Sequence, residues 1–348
     1  MNRPGEAENG SMRRDRPEVA REPQETDGRA DAEMATGSLA AEDANDRAVE
    51  ERRILLGAGY RMLGTLTDAE DAVQETYVRW YRLSPEQRSA IRSPRAWLVT
   101  VISRVCLDML GSARARRERY VGEWLPEPLP AGAWKSQRDD PLADPGLRVT
   151  VDESISMALL VVLEVMTPAE RVSFVLHDVF RFTFPEIAEI VGRSPAACRQ
   201  LAVSARSRVR SSRAAAVAPA EHRALVRSFK KAWETGDLSG MVAVLDPEVT
   251  VVADGGGLVG AALAPIRGVT EVAAFLLGIL DIQPGLVITE RPVNGDPGVV
   301  TRDPEGRLLA VIALAPTLRG LLGKIWVVRN PDKLAGWDEG RAGDWLVR

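Results

Sequence analysis

Apolar residues recur at helical spacing over two stretches of this chain and at strand-like spacing over a third. From Thr67 to Arg82, Ala69, Val73, Tyr77 and Trp80 share one helical face, while Asp68, Asp71 and Glu75 form an acidic line beside it. From Trp97 to Tyr120, Leu98, Val101, Val105 and Met109 form the buried stripe of a second helix. That segment is rich in arginine, with Arg95, Arg104, Arg114, Arg116, Arg117 and Arg119. Start signals divide the region into further helices: Thr67 with Glu70 as a capping box, Ser84-Pro85 with Gln87, and Ser93-Pro94.

The second helical stretch ends in FPEIAEIVGRSPAACRQLAVSARSRVR. Ile187, Ile190 and Val191 line a short helix, and Gly192 stops it. Ser194 caps the next helix, with Pro195 at its first position. Cys198, Leu201, Ala202, Ala205 and Val209 make its apolar stripe, and Arg199, Arg206 and Arg210 gather on another face. This is the pattern of a helix-turn-helix whose second helix fits a DNA major groove. After residue 218 the period changes. Helices over 221–234, 238–245 and 270–280 mix with strand-like runs at 249–253, 285–292, 308–315 and 324–328. They predict an α+β domain with a mainly antiparallel sheet.

The pattern therefore divides the chain into an acidic tail (1–47), a helical unit (48–120), a Pro-rich linker (121–150), a helix-turn-helix unit (151–213), an α+β domain (218–335) and a tail (336–348). With 348 residues, two or three domains are expected. The net charge of -4 argues against DNA binding only until its distribution is read. Residues 1–50 hold 13 acids against 7 arginines, a net of -6, which leaves the remainder near +2 with local basic clusters. The tail lacks the apolar residues needed to offset ordering entropy, so it reads as disordered. Cys106 and Cys198 lie in apolar stripes with no cysteine or histidine at ligand spacing, which argues against structural zinc and for a reducing compartment. No run is long and apolar enough to span a membrane, and the amino terminus does not look like a secretion signal, so a cytoplasmic location is expected.

An acidic helix, a basic helix, a linker and a helix-turn-helix in this order resemble a bacterial sigma factor of the extracytoplasmic-function type. LLGAGYRMLGTLTDAEDAVQETYVRWYR is similar to the segment that grips the polymerase clamp helices. SPRAWLVTVISRVCLDML is similar to the segment that melts and reads the -10 element, and TPAERVSFVLHDVFRFTFPEIAEIVGRSPAACRQL to the domain that reads -35. Three further motifs, Trp124-Leu-Pro126-Glu-Pro-Leu129, Asp254-Gly255-Gly256-Gly257 and Asn330-Pro331-Asp332-Lys-Leu334, resemble the group with a fused SnoaL-like extension.

The resemblance implies a cone-shaped α+β fold for the last domain and an intramolecular regulator in place of a separate anti-sigma protein. It assigns Asp68, Asp71, Gln74 and Glu75 to the polymerase clamp helices. Core polymerase, through clamp and flap, and promoter DNA are the implied partners. Ser194, Arg199 and Gln200 are candidate -35 readers, since Arg forks onto guanine and Gln pairs with adenine. Arg206 and Arg210 suit phosphates. Arg95, Trp97, Arg104, Arg114 and Arg116 fall to -10 binding, with the loop between Pro85 and Pro94 holding an unstacked base. Ser204 departs from the family, where an arginine is common, and puts one backbone contact in doubt. Trp124, Pro126, Asp254, Gly255, Gly256, Gly257, Asn330, Pro331 and Asp332 are the candidate docking residues.

SnoaL-like cones also include enzymes, but the four tyrosines lie outside 218–335, His222 is its one histidine, and Asp254 is its best acid. His177, in FVLHDVF, reads as a satisfied helix histidine. No catalytic constellation, cofactor or metal is expected, and an unknown small ligand in the cone is left open. Two alternatives stand beside the sigma reading: a one-component DNA-binding regulator with a ligand-sensing cone, and a SnoaL-like enzyme fused to a DNA-binding module.

Overall fold

The computed structural model describes residues 51–117, 120–130, 155–212 and 217–337. The acidic tail, most of the linker after Pro130 and the last eleven residues lie outside them.

The first unit contains α1 (Arg52–Leu63), α2 (Leu66–Tyr81), α3 (Pro85–Ser89) and α4 (Pro94–Arg117). Helix α2 starts two residues earlier than its capping signal, and the cap is Thr65, not Thr67: the Thr65 hydroxyl accepts from the Asp68 amide. The Ser84–Gln87 box forms as expected. The second unit contains α5 (Met157–Glu164), α6 (Pro168–Phe174), a π-helical turn (Val175–Val179), α7 (Phe184–Val191) and α8 (Pro195–Ser212). Gly192 takes a left-handed φ of 70° and ends α7, and Ser194 Oγ accepts from the Ala197 amide to start α8. His177 sits in the π turn, its Nδ1 2.9 Å from the Phe182 carbonyl.

The two helical units are not separate bodies. One apolar core runs from Leu55, Trp80 and Ile102 through Leu129 and Leu160 to Ile187 and Cys198. Arg171, 2 % exposed, strengthens the junction by donating to the Met62 carbonyl at 2.8 Å while paired with Glu164 at 2.7 Å.

The third unit contains α9 (Pro219–Thr235), α10 (Leu238–Val244), β1 (Leu245–Asp254), β2 (Ile266–Arg267), α11 (Val269–Ile282), β3 (Val287–Val293), β4 (Asp296–Arg302), β5 (Leu308–Pro316) and β6 (Leu322–Val328), then two 3-10 turns (Pro331–Lys333, Ala335–Trp337). The six strands are ordered β2-β1-β6-β5-β4-β3. Only β1 and β6 pair in parallel; the remaining pairs are antiparallel. Strands β2 and β4 add to the four expected from the sequence. The sheet has no solvated face along its centre. Ala310, Ile312 and Leu314 of β5 point into the cone, with Ile325 and Val327 of β6. Val311, Ala313 and Ala315, with Trp326 and Val328, pack on the other face against Leu125, Met157, Leu334 and Trp337. Since side chains alternate across a sheet, burial of both faces turns β5 and β6 into continuous apolar runs. The second face is covered by the linker and by the start of the helix-turn-helix unit.

Candidate functional site

The segment Tyr120–Pro130 is expected from its prolines to be an extended linker. It is extended, but it is a buried strap rather than a free connection: Leu125 to Leu129 are all buried. Prolines at 126 and 128 have no N–H, so only the amides of Leu125, Glu127 and Leu129 in that stretch need acceptors. All three have one, on alternating sides. Leu125 N donates to Asp254 Oδ2 at 2.9 Å, Glu127 N to the Gly64 carbonyl at 2.9 Å, and Leu129 N to Asn294 Oδ1 at 3.1 Å. The first and third partners belong to the cone and the second to the first helical unit. The strap carbonyls are held in the same way: Lys333 Nζ donates to Leu125 O at 2.6 Å, Tyr60 Oη to Glu127 O at 2.6 Å, and Trp337 Nε1 to Pro128 O at 2.8 Å.

Asp254, at the end of β1, is the hub at one end of the strap and is fully buried. Its Oδ1 accepts from Tyr120 Oη at 2.5 Å and the Gly256 amide at 3.0 Å, and its Oδ2 from Leu125 N and, at 2.7 Å, from Lys333 Nζ. Its carbonyl accepts from the amides of Arg329 and Asn330. Asn330 Nδ2 donates to Tyr120 Oη at 2.8 Å, so the strap's phenol is held at two points by the cone. Burial, then the Asp254 carboxylate, raise the Tyr120 pKa and keep the phenol protonated as a donor. The Lys333 ammonium lies 4.0 Å from the centre of the Trp124 ring, a cation–π contact in a desolvated site. Pro331 and Asp332 lie on the exposed side of the first 3-10 turn, and the Asp332 amide donates to Asn330 Oδ1 at 3.1 Å.

Of the three glycines after Asp254, all candidate docking residues, one faces the strap. A Cβ on Gly255 would meet Val259 O at 2.4 Å, and one on Gly256 would meet the Asn330 side chain at 2.6 Å. Only Gly257 faces the strap, where a Cβ would lie 3.0 Å from Val121. The carboxylate of Asp254 makes the approach, and Gly255 and Gly256 make room for its own loop.

At the other end the anchor is Asn294, which has φ 52° in an Asn-Gly hairpin turn between β3 and β4. Its N–H donates to Leu129 O at 2.9 Å and its Nδ2 to Tyr60 Oη at 2.8 Å. Between the ends, Glu127 is 5 % exposed and accepts from the Leu66 amide at 2.7 Å. It thereby satisfies an orphan donor at the start of α2. Burial pushes the Glu127 carboxyl up to about 7, against the opposing pull of the Leu66 amide and Lys333. Tyr60, Tyr120, Glu127, Asn294 and Lys333 were not among the candidates; Asn294-Gly295 is a strong hairpin signal that would have located one of them.

Gly64 closes the gap under Trp124. It caps α1 at φ 83°, and an added Cβ would stand 2.7 Å from Trp124 Cη2 and 2.8 Å from Glu164 Oε1. Gly64→Ala is expected to cost about 1–2 kcal/mol from the left-handed backbone alone, with more from the displaced indole. A thermal melt several degrees lower would report it; an unchanged melt would mean that Trp124 moves freely.

The nucleic-acid and polymerase candidates lie on the outside. Ser194, Arg199, Gln200 and Arg210 are exposed. Arg199 stacks over Phe184, 5.3 Å from the ring centre, which aims it from α8. Arg206 is paired with Asp178 at 2.8 Å. Ser204 points inward and donates to Glu170 Oε1 at 2.8 Å, so an arginine here would have to leave that site. On α2, Asp71 and Gln74 are exposed, Glu75 pairs with Arg79, and Asp68 accepts from the Thr65 hydroxyl. On α4, Arg95 pairs with Glu51 and Trp97 packs edge-on against Trp80, 5.2 Å between centres. Arg104 donates to the Glu189 carbonyl of α7 at 3.2 Å. Arg114 and Arg116 lie in the last turns of α4; their side chains lie outside the described residues. His222 is buried, and Cys106 and Cys198 are free and buried.

Residues 49–116 match the Sigma-70 region 2 family and residues 156–209 the Sigma-70 region 4 family. The two helical units are therefore those of a sigma-70-type factor. The ECF RNA polymerase sigma factor SigJ of Mycobacterium tuberculosis is 41 % identical over 295 residues, covering 82 % of this chain and 91 % of its own. The crystal structure of M. tuberculosis SigJ superposes with TM-score 0.64 at 36 % identity, over 84 % of this chain and 98 % of that one. The chain belongs to the extracytoplasmic-function RNA polymerase sigma factors, with an α+β carboxy-terminal extension. No helix among the described residues is long and apolar enough to cross a membrane.

Proposed function

We propose that the SnoaL-like extension keeps this sigma factor closed, and that promoter engagement requires release of the strap from one of its two partners. The observation that carries this reading is the alternation of strap hydrogen bonds between region 2 and the extension. A segment bonded to both on successive residues holds them together. Closure is incompatible with reading two promoter elements at once. The -10 and -35 elements lie about 25 base pairs apart, on the order of 80 Å of duplex at about 3.4 Å per pair. Here the helix assigned to -10 and the first helix of the helix-turn-helix touch, through Arg104 and Glu189. The exposed α2 face with Asp71 and Gln74 stays open to polymerase, so core enzyme can bind the closed form and then select the open one.

In the open form Ser194, Arg199 and Gln200 read -35 bases, Arg210 holds phosphate, and Arg206 joins it once released from Asp178. On α4, Arg104 loses its Glu189 contact and becomes available to -10 DNA, with Arg95, Trp97, Arg114 and Arg116 along the same helix. A separate anti-sigma protein is unnecessary on this reading.

Run-off transcription from the upstream region of its own gene, with purified core polymerase, tests the proposal. Full-length protein is expected to initiate less than a chain ending near Val217. Equal initiation by the two would remove the restraining role. Arg199→Ala is expected to lower specific initiation about 10- to 100-fold, the value of one bidentate base contact of about 1–3 kcal/mol, with polymerase binding unchanged in a pull-down. Unaltered start-site choice would move the -35 assignment off Arg199.

A further inference from the structure

The cone encloses a cavity of about 420 Å³ that the docking contacts do not use. Its walls are apolar: Ala253, Ala310 and Ile312 from the sheet, Phe275 and Ile279 from α11, and Trp233 from α9. The indole N–H of Trp233 is already committed, donating to the Leu276 carbonyl at 2.7 Å, so that wall offers a ligand only its aromatic surface. The size is that of a small-molecule site. Among the lining residues Ile282 is 78 % exposed, an apolar side chain open to solvent.

One cation lines this cavity. Arg329 follows β6, is half-buried, and has no ion pair among the described residues. Its Nη1 donates to the Gly260 carbonyl at the cavity lining. A guanidinium has five N–H donors in a fork, so this neutral acceptor leaves capacity for a carboxylate. Burial alone pushes the Arg329 pKa below its ordinary value, with no carboxylate opposing it. A charge taken from water without a counter-charge is costly, and an anionic group at the cavity would relieve that cost.

We propose that the cone is a binding site for a lipophilic carboxylic acid, its apolar body between Trp233, Phe275 and Ile312 and its carboxylate on Arg329. The site is independent of the closed-form reading, since it is built from cone residues that do not touch the strap. It sits next to the docking hub all the same: the Arg329 amide donates to the Asp254 carbonyl at 2.7 Å, and Gly260 belongs to the loop that follows Asp254. A carboxylate drawing Arg329 away from Gly260 would act on that loop.

Isothermal titration calorimetry on the full chain tests this with dodecanoate and its neutral counterpart 1-dodecanol, both below their aggregation limits. Dodecanoate is expected to bind at one site at least tenfold more tightly than the alcohol. Arg329→Met should remove that preference, Arg329→Lys should retain part of it, and Ala310→Phe, which fills the cavity, should abolish binding of both. Circular dichroism of each variant verifies that the fold persists. No binding of either probe, equal affinity for acid and alcohol, or an acid preference that survives Arg329→Met would overturn the assignment. Strap release is read separately, by small-angle scattering with and without dodecanoate, so an unchanged shape with intact binding refutes coupling and leaves the site standing.

Discussion

Asp254→Ala is expected to detach the cone from the strap and to lower stability of the closed form by about 3–5 kcal/mol, the usual cost of breaking one side of a buried ion pair. Lys333, 7 % exposed, would lose its carboxylate partner at 2.7 Å and keep the Leu125 carbonyl and the Trp124 and Tyr120 rings. The Leu125 and Gly256 amides and the Tyr120 hydroxyl would lose their acceptor at the same time. The result should be a larger radius of gyration by small-angle scattering with helical circular dichroism retained, and higher run-off activity. Asp254→Asn keeps one acceptor oxygen but not the charge, and should fall between. Wild-type scattering and activity in Asp254→Ala would refute the hub assignment.

Glu127 gives the second large effect, and its sign follows from the burial that raises it. A carboxyl held near 7 in the closed form, against about 4.5 when solvated, favours closure most at low pH. That contribution is full below about 4.5 and is lost as pH rises toward 7, a span worth about 3 kcal/mol. The groups that set it are the Leu66 amide and Lys333, which favour the anion, and Glu70 and Asp68, which oppose it. Glu127→Gln keeps an acceptor for Leu66 and cannot ionise. It should therefore hold the chain closed at pH 8, with an open population on the order of 100-fold lower than wild type, and match wild type near pH 4.5. Scattering and initiation across that range would report it. A parallel pH response in both proteins would mean that another group controls the transition.

The helical units were legible because their signals are local. Gly192 and Ser194 set the turn of the helix-turn-helix from within four residues of sequence, and the Arg199 face follows from helical spacing alone. The docking site was half legible. The Trp124, Asp254 and Asn330 motifs marked its position, but the partners that complete it lie 61 to 234 residues apart, as in Leu66–Glu127 and Tyr60–Asn294. A tyrosine inside an apolar helix gives no local sign that its hydroxyl is the link between three segments. The sequence argument that the tyrosines lie outside the cone is correct as a statement of chain position. Tyr120 nevertheless bonds to Asp254 across 134 residues. Two strands were missed for a related reason: β2 has only two residues, and β4 contains Pro297 and Gly298, which weaken a local strand signal.

The parallel pairing of β1 with β6 has a consequence during protein synthesis. Strand β1 cannot obtain its central neighbour until residue 328 has been made, and Lys333 reaches the strap across 208 residues from Leu125. At about 5–20 residues per second, the strap waits roughly 10–40 s on the ribosome for its cone-side anchor. Both DNA-binding units are complete within that interval. On the closed-form proposal, each newly made molecule is unrestrained over that interval, because the cone-side anchor of the strap is made after both DNA-binding units.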